Sequence, residues 1–234
     1  MNKYIWCSYR NWSFNILEGI QDLKDWKLEL IITTKDCLYD FSELEKITKI
    51  VRVNIREKQK PFARNTEVFK QILEIKPDTI FYNGWSWFIP SDVLRLCPNV
   101  VLHPGKLPKD RGGSPIQNQI INGEQWTYAN IVQMTEELDS GPIYCKEIMS
   151  LKGEVDDVWA RMVTTGIKLT REYLKGISEG VLKPIPQPKE TPTAYKRVTK
   201  KQSQIDFDMS AEKIYNVVRA MNETDTTRMC ILVI

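Results

Sequence analysis

Short apolar runs recur along this chain, separated by segments of helical period, and that alternation limits the fold more than any other feature. Tyr4-Ile5-Trp6-Cys7, residues 26–33, 50–53, 79–82 and Val100-Val101-Leu102 each read as a strand. Between them, Phe14, Leu17, Ile20 and Leu23 form one helical stripe, and Val68, Ile72 and Ile75 another. A short helix is expected near 41–47, and a further one starts at Ser91 and ends at Pro98. Such a pattern packs as an α/β fold, a doubly wound, mostly parallel Rossmann-like sheet with its ligands at the strand C-termini. No GxGxxG fingerprint follows the first strand, which argues against a nicotinamide enzyme.

One strand delivers a titratable side chain to its end. Val100-Val101-Leu102 leads into His103, the sole histidine of the chain. Pro104 and Gly105 stop the strand, Pro108 and Gly112-Gly113 keep the next loop irregular, and Ser114-Pro115 reads as an N-cap with proline at the first helical position. A lone histidine at a strand end is compatible with a purely structural role. A second feature bears on it: Asp139 precedes Ser140-Gly141-Pro142, on a turn between two strand-like segments, 127–134 and 142–151, that read as an antiparallel pair.

Together these residues resemble the folate-dependent formyltransferases, a group that includes methionyl-tRNA formyltransferase, glycinamide ribonucleotide transformylase and the nucleotide-sugar N-formyltransferases. The family pattern Asn-x-His-Pro-Ser-Leu-Leu-Pro, Arg-Gly, a Pro-led helix and then Asp-x-Gly stands here as Val101 to Pro108, Arg111-Gly112, Pro115 and Asp139-Ser140-Gly141. The resemblance runs from the N-terminus to about Met221. It implies N10-formyltetrahydrofolate as co-substrate and no metal. His103 would be the base that takes a proton from the attacking amine, and Asp139 would orient it. Phe88, Ile89 and Pro90, with Arg111, Glu136, Leu138 and Gly141, would hold or shape the folate site. The turn Tyr9 to Ser13 resembles the nucleotide-sugar branch and puts Trp12 on the substrate, and for such an acceptor Lys106 and Lys109 are expected contacts of its pyrophosphate or sugar. One position departs from the pattern: Val101 replaces the asparagine whose amide donates to the oxyanion, a contribution worth roughly 3 to 4 kcal/mol at comparable sites. Three answers stay open. The imidazolium with water and a backbone N–H suffices, another amide (Asn83 or Gln117) substitutes, or the chain binds a nucleotide without catalysis.

Charge and tail bear on the acceptor. A formal net charge of +3 is too small for bulk nucleic-acid binding, and a small phosphate-bearing substrate needs only a local basic patch. A nucleotide-linked amino sugar, as used in lipopolysaccharide and O-antigen synthesis, is therefore the expected acceptor, with a methionyl-tRNA formyltransferase-like enzyme as the alternative. Five scattered cysteines without metal-ligand spacing read as reduced thiols of a cytoplasmic protein. No apolar run is long enough for a membrane span, and no signal-peptide core is present. The expected organisation is a catalytic domain over 1–183 with a long helix over 155–179 ended by Gly180. A Pro-rich linker over 184–194 and a short C-terminal extension over 195–234 follow, the latter with a helix from Ser210 to Met221. The basic stretch 56–65 reads as surface, and Tyr195-Lys196-Arg197 and Lys200-Lys201 are also basic. The apolar tail 230–234 either seals a homodimer or folds back on the core.

Overall fold

The fold is described from a computed structural model covering residues 1–54, 61–64, 66–222 and 231–232. A seven-stranded sheet has the order β3-β2-β1-β4-β5-β7-β8. Its strands are β1 (Asn2–Cys7), β2 (Trp26–Thr34), β3 (Lys49–Val53), β4 (Thr79–Phe81), β5 (Asn99–Pro104), β7 (Trp126–Gln133) and β8 (Ile143–Ser150). The first five are parallel to one another, while β7 runs antiparallel to both β5 and β8. The chain thus matches the expected mostly parallel α/β architecture, and its strand order reverses direction between β1 and β4.

Side-chain alternation sends successive residues of β1 into two separate cores. Tyr4 and Trp6 join the core under the helices α1 (Asn11–Glu18) and α5 (Val155–Ser178), whereas Ile5 and Cys7 join the core under α2 (Glu67–Ile75). A register shift after Tyr4 lets Leu28 and Ile31 of β2 share one face although they are three residues apart. The short helix α3 (Ser91–Leu94) contributes Val93 to the second core. The helix expected near 41–47 is a single 3-10 turn, Leu44–Lys46.

Two helix starts have the side-chain cap that their sequence suggests, and a third does not. Thr66 and Ser210 cap α2 and α6 (Ala211–Met221) by accepting from Phe69 N–H and Lys213 N–H. Ser114 occupies the N-cap position of α4 (Pro115–Ile121) but makes no side-chain cap bond. Its left-handed backbone turns the hydroxyl elsewhere, and Oγ accepts from Val198 N–H at 3.4 Å. Gly180, at φ 67°, terminates α5 as expected.

Residues 185–198 do not run free of the sheet. Ile185 pairs with Ile143 beside β8, and β9 (Ala194–Tyr195) pairs with β6 (Arg111–Gly112) in the loop after His103. In the C-terminal segment, α6 packs on α4, and β10 (Gln204–Ile205) pairs with the backbone of β11 (Ile231–Leu232). Cys230, Val233 and Ile234 lie outside the described residues, as do 56–60 and 65 of the basic stretch. Within that stretch, Phe62 is buried against Tyr82 and Trp85, so it is not surface throughout. Among the described residues no helix is long and apolar enough to cross a membrane.

Candidate active site

A cleft of about 610 Å³ opens at the carboxyl ends of β1, β4 and β5, at the point where the strand order reverses. One part of its wall is apolar, built from Tyr82, Phe88, Ile89, Leu94, Val101, Met134 and Leu138. Ile89 is buried, while Phe88 and Leu138 stand exposed at the mouth. The other part carries Arg10, Trp12, Trp159 and Arg197. Trp12 and Trp159 stack with ring centroids 5.5 Å apart. Arg10 lies over the Tyr9 ring and donates to its hydroxyl, and no partner for the Arg197 guanidinium occurs among the described residues.

Between these walls sit His103 and Asp139. His103 is buried at the end of β5, and its Nδ1 lies 3.6 Å from Asp139 Oδ2. Its Nε2 lies 2.8 Å from the backbone oxygen of Asp110. A carbonyl oxygen can only accept, so Nε2 carries a hydrogen and, in the neutral ring, Nδ1 holds the lone pair. Asn130, opposite His103 on β7, donates to the carbonyls of His103 and Gly105 at 2.9 and 2.8 Å. From the other side, Asn83 accepts from Leu102 N–H at 2.7 Å. Gly105 leaves room for the ring: a Cβ there would lie 2.9 Å from His103 Nε2. The resemblance pattern has serine at this position.

Asp139 reaches His103 from a strained turn. Its φ is 49°, and its Oδ2 also accepts from Gly112 N–H at 2.8 Å. Gly141 makes the turn possible, because a Cβ on it would fall 1.8 Å from the carbonyl oxygen of Gln133.

The structure therefore brings His103, Asp139, Phe88, Ile89, Glu136, Leu138 and Trp12 to one cleft. The remaining expected site residues do not line it. Pro90 serves as the N-cap residue of α3. Arg111 lies behind the Asp139 turn, donating to Glu137 and Gln187 at 3.2 and 2.8 Å. Gly141 is packed beneath the same turn. Lys106 and Lys109, expected on the substrate, lie outside the cleft lining and are engaged in ion pairs. Lys106 pairs with Glu124 and lies over the Trp126 ring, and Lys109 pairs with Glu190. Of the two amides considered as substitutes for the missing asparagine, Gln117 lines the cleft, whereas Asn83 is fully buried behind the strand end.

Several site residues carried no local sequence signal. Trp159 sits within the α5 stripe, and Arg10 and Arg197 lie at opposite ends of the chain. Only the basic character of Tyr195-Lys196-Arg197 pointed at the last of them. Among the described residues, no group of three His, Cys, Asp or Glu side chains is placed to hold a metal ion.

The profile of the formyl transferase family matches residues 14–162. A methionyl-tRNA formyltransferase of Lactobacillus acidophilus is 27% identical over 232 residues, covering 95% of this chain and 73% of that protein. One from Dictyoglomus thermophilum is 32% identical over 162 residues, covering 68% of this chain and about half, 52%, of that protein. Among solved structures, a 4-N formyltransferase from Francisella tularensis superimposes with a TM-score of 0.76 at 19% identity, over 97% of this chain and 91% of that one.

Proposed function

The chain belongs to the formyl transferase family, and from that premise we propose that its acceptor is the primary amine of a nucleotide-linked amino sugar. N10-formyltetrahydrofolate supplies an activated one-carbon unit in such a reaction. The apolar wall suits its flat pterin, since a heteroaromatic ring favours apolar surfaces with a few polar groups at the edge. Trp85 Nε1 and Tyr82 Oη, both on cleft residues, have no hydrogen-bond partner among the described residues, as buried polar atoms facing a polar ligand edge would.

The observation that carries the acceptor reading is the second wall. Arg10 and Arg197 supply two guanidiniums, the donor type suited to phosphate oxygens. The Trp12–Trp159 pair beside them offers a flat surface for a base or sugar. His103 would take the amine proton on Nδ1. The resulting imidazolium keeps its Nε2–H on the Asp110 carbonyl, and its charge lies beside the Asp139 carboxylate, whose Oδ2 is 3.6 Å from Nδ1. The same Nδ1–H can return the proton to the departing amine nitrogen. Val101 has no donor to offer, so support for the charged oxygen falls to the imidazolium, with Gln117 as the side-chain amide on the cleft wall.

A methionyl-tRNA acceptor is favoured by the curated relatives, whose names specify it. Purified protein with N10-formyltetrahydrofolate and a panel of amino-sugar nucleotides, assayed for tetrahydrofolate release, tests the first reading. Turnover with a nucleotide sugar and none with methionyl-tRNA is expected. The reverse result would overturn the choice of acceptor, and no turnover with either would favour a binding module.

A further inference from the structure

Gln187 lies in the Pro-rich stretch 184–194, and its amide is spent entirely on the neighbourhood of Asp139. Nε2 donates to the carbonyl oxygens of Asp139 and Gly141 at 2.7 and 2.9 Å. Oε1 accepts from Arg111 Nη2 at 2.8 Å, and Arg111 reaches the same turn again through Glu137. That turn needs holding. Asp139 has a left-handed backbone, and the turn's own Ser140 N–H to Glu137 carbonyl bond is long, at 3.5 Å.

Gln187 is itself placed by its surroundings. Two residues earlier, Ile185 exchanges two backbone hydrogen bonds of 2.8 Å with Ile143. Farther along, Thr193 holds the other catalytic loop: its Oγ1 accepts from Asp110 N–H and its carbonyl from Arg111 N–H. Asp110 presents its carbonyl to His103 Nε2, and Gly112 N–H binds the Asp139 carboxylate. The strap 185–195 therefore touches both loops that bring the imidazole and the carboxylate together.

We propose that Gln187 is a positioning residue, fixing the Asp139 turn so that the carboxylate stays beside His103 Nδ1. The inference rests on the reading of Asp139 as the partner of His103. The informative variant is Gln187→Glu. It keeps the side-chain size and still offers Arg111 an acceptor, but replaces both N–H donors with an oxygen that repels the Asp139 and Gly141 carbonyls. A residue that merely anchors the strap through Arg111 would tolerate this change.

Because the chain has a single histidine, its ring 15N signals need no assignment. Asp139→Asn gives the full effect of losing the carboxylate on the Nδ1 signal. Gln187→Ala and Gln187→Glu are expected to move that signal in the same direction. They should also lower kcat roughly 10- to 100-fold, with less than about threefold change in KM for N10-formyltetrahydrofolate. Ile185→Ala, which alters an exposed side chain on the same strap, should leave the signal unchanged. Folded Gln187 variants with the unaltered Nδ1 signal would overturn the inference while leaving the Asp139 reading intact. An unaltered signal in Asp139→Asn would instead sink the reading of Asp139, and the role of Gln187 with it.

Discussion

At the scale of single residues, the proposed chemistry turns on the direction in which one imidazole ring is held. Its Nε2–H is committed to a backbone carbonyl, so the nitrogen left with a lone pair is the one beside a carboxylate and the cleft. His103→Ala should lower tetrahydrofolate release about 10²- to 10⁴-fold, the range for a lost acid–base group, with the fold intact by circular dichroism. A variant with near-normal turnover would remove His103 from the mechanism. His103 was legible because a lone titratable side chain at the end of an apolar run has few structural reasons to be there. Asp139 was legible only through the family pattern, since an aspartate before Ser-Gly-Pro ordinarily signals a turn and nothing more. Lys106 and Lys109 are a different case, each paired with a carboxylate away from the cleft lining. Proximity in sequence to His103 says nothing about which carboxylate a long flexible cation will find.

At the scale of elements, α5 shows how strongly periodicity constrains structure and how little it says about function. Its stripe buries Val158, Met162, Leu169, Tyr173 and Leu174 against the sheet. Leu169 is fully buried and takes no part in the cleft. Leu169→Ala should therefore destabilise the chain by about 2 to 5 kcal/mol in urea unfolding, with turnover below the transition little changed. Yet the same helix puts Trp159 on the cleft wall, and nothing in the stripe separates that tryptophan from a core residue. The Pro-rich stretch is the converse case. Its composition resembles a linker, but extended backbone can pair with any free edge, and its partners lie in β8 and in the loop after His103.

At the scale of the whole molecule, two cores on either side of one sheet keep thiols and phenols from water. Burial pushes Cys97 and Cys145 from 9.0 to about 12, raises Cys7 in the same sense, and lifts Tyr4 from 10.0 to about 12. The folded chain therefore holds protons that the unfolded chain releases in this interval. The stability they represent is complete below about pH 9 and is lost as pH rises towards 12. Urea midpoints should fall steadily from about pH 9 upward, and the buried thiols of Cys7 and Cys145 should react with Ellman's reagent only after unfolding. A flat alkaline profile would contradict this burial.

The amino-acid order by itself determined the elements and the layering, because strand and helix periods are local properties and a parallel sheet has few ways to cover both faces. It also marked the strand end where chemistry belongs. Tertiary structure alone decided which charges face the cleft, which are neutralised elsewhere, and that a stretch resembling a tether grips the Asp139 turn. Those outcomes depend on contacts between residues far apart in the chain, and the free energy of such contacts is set by geometry and desolvation, which no local pattern encodes.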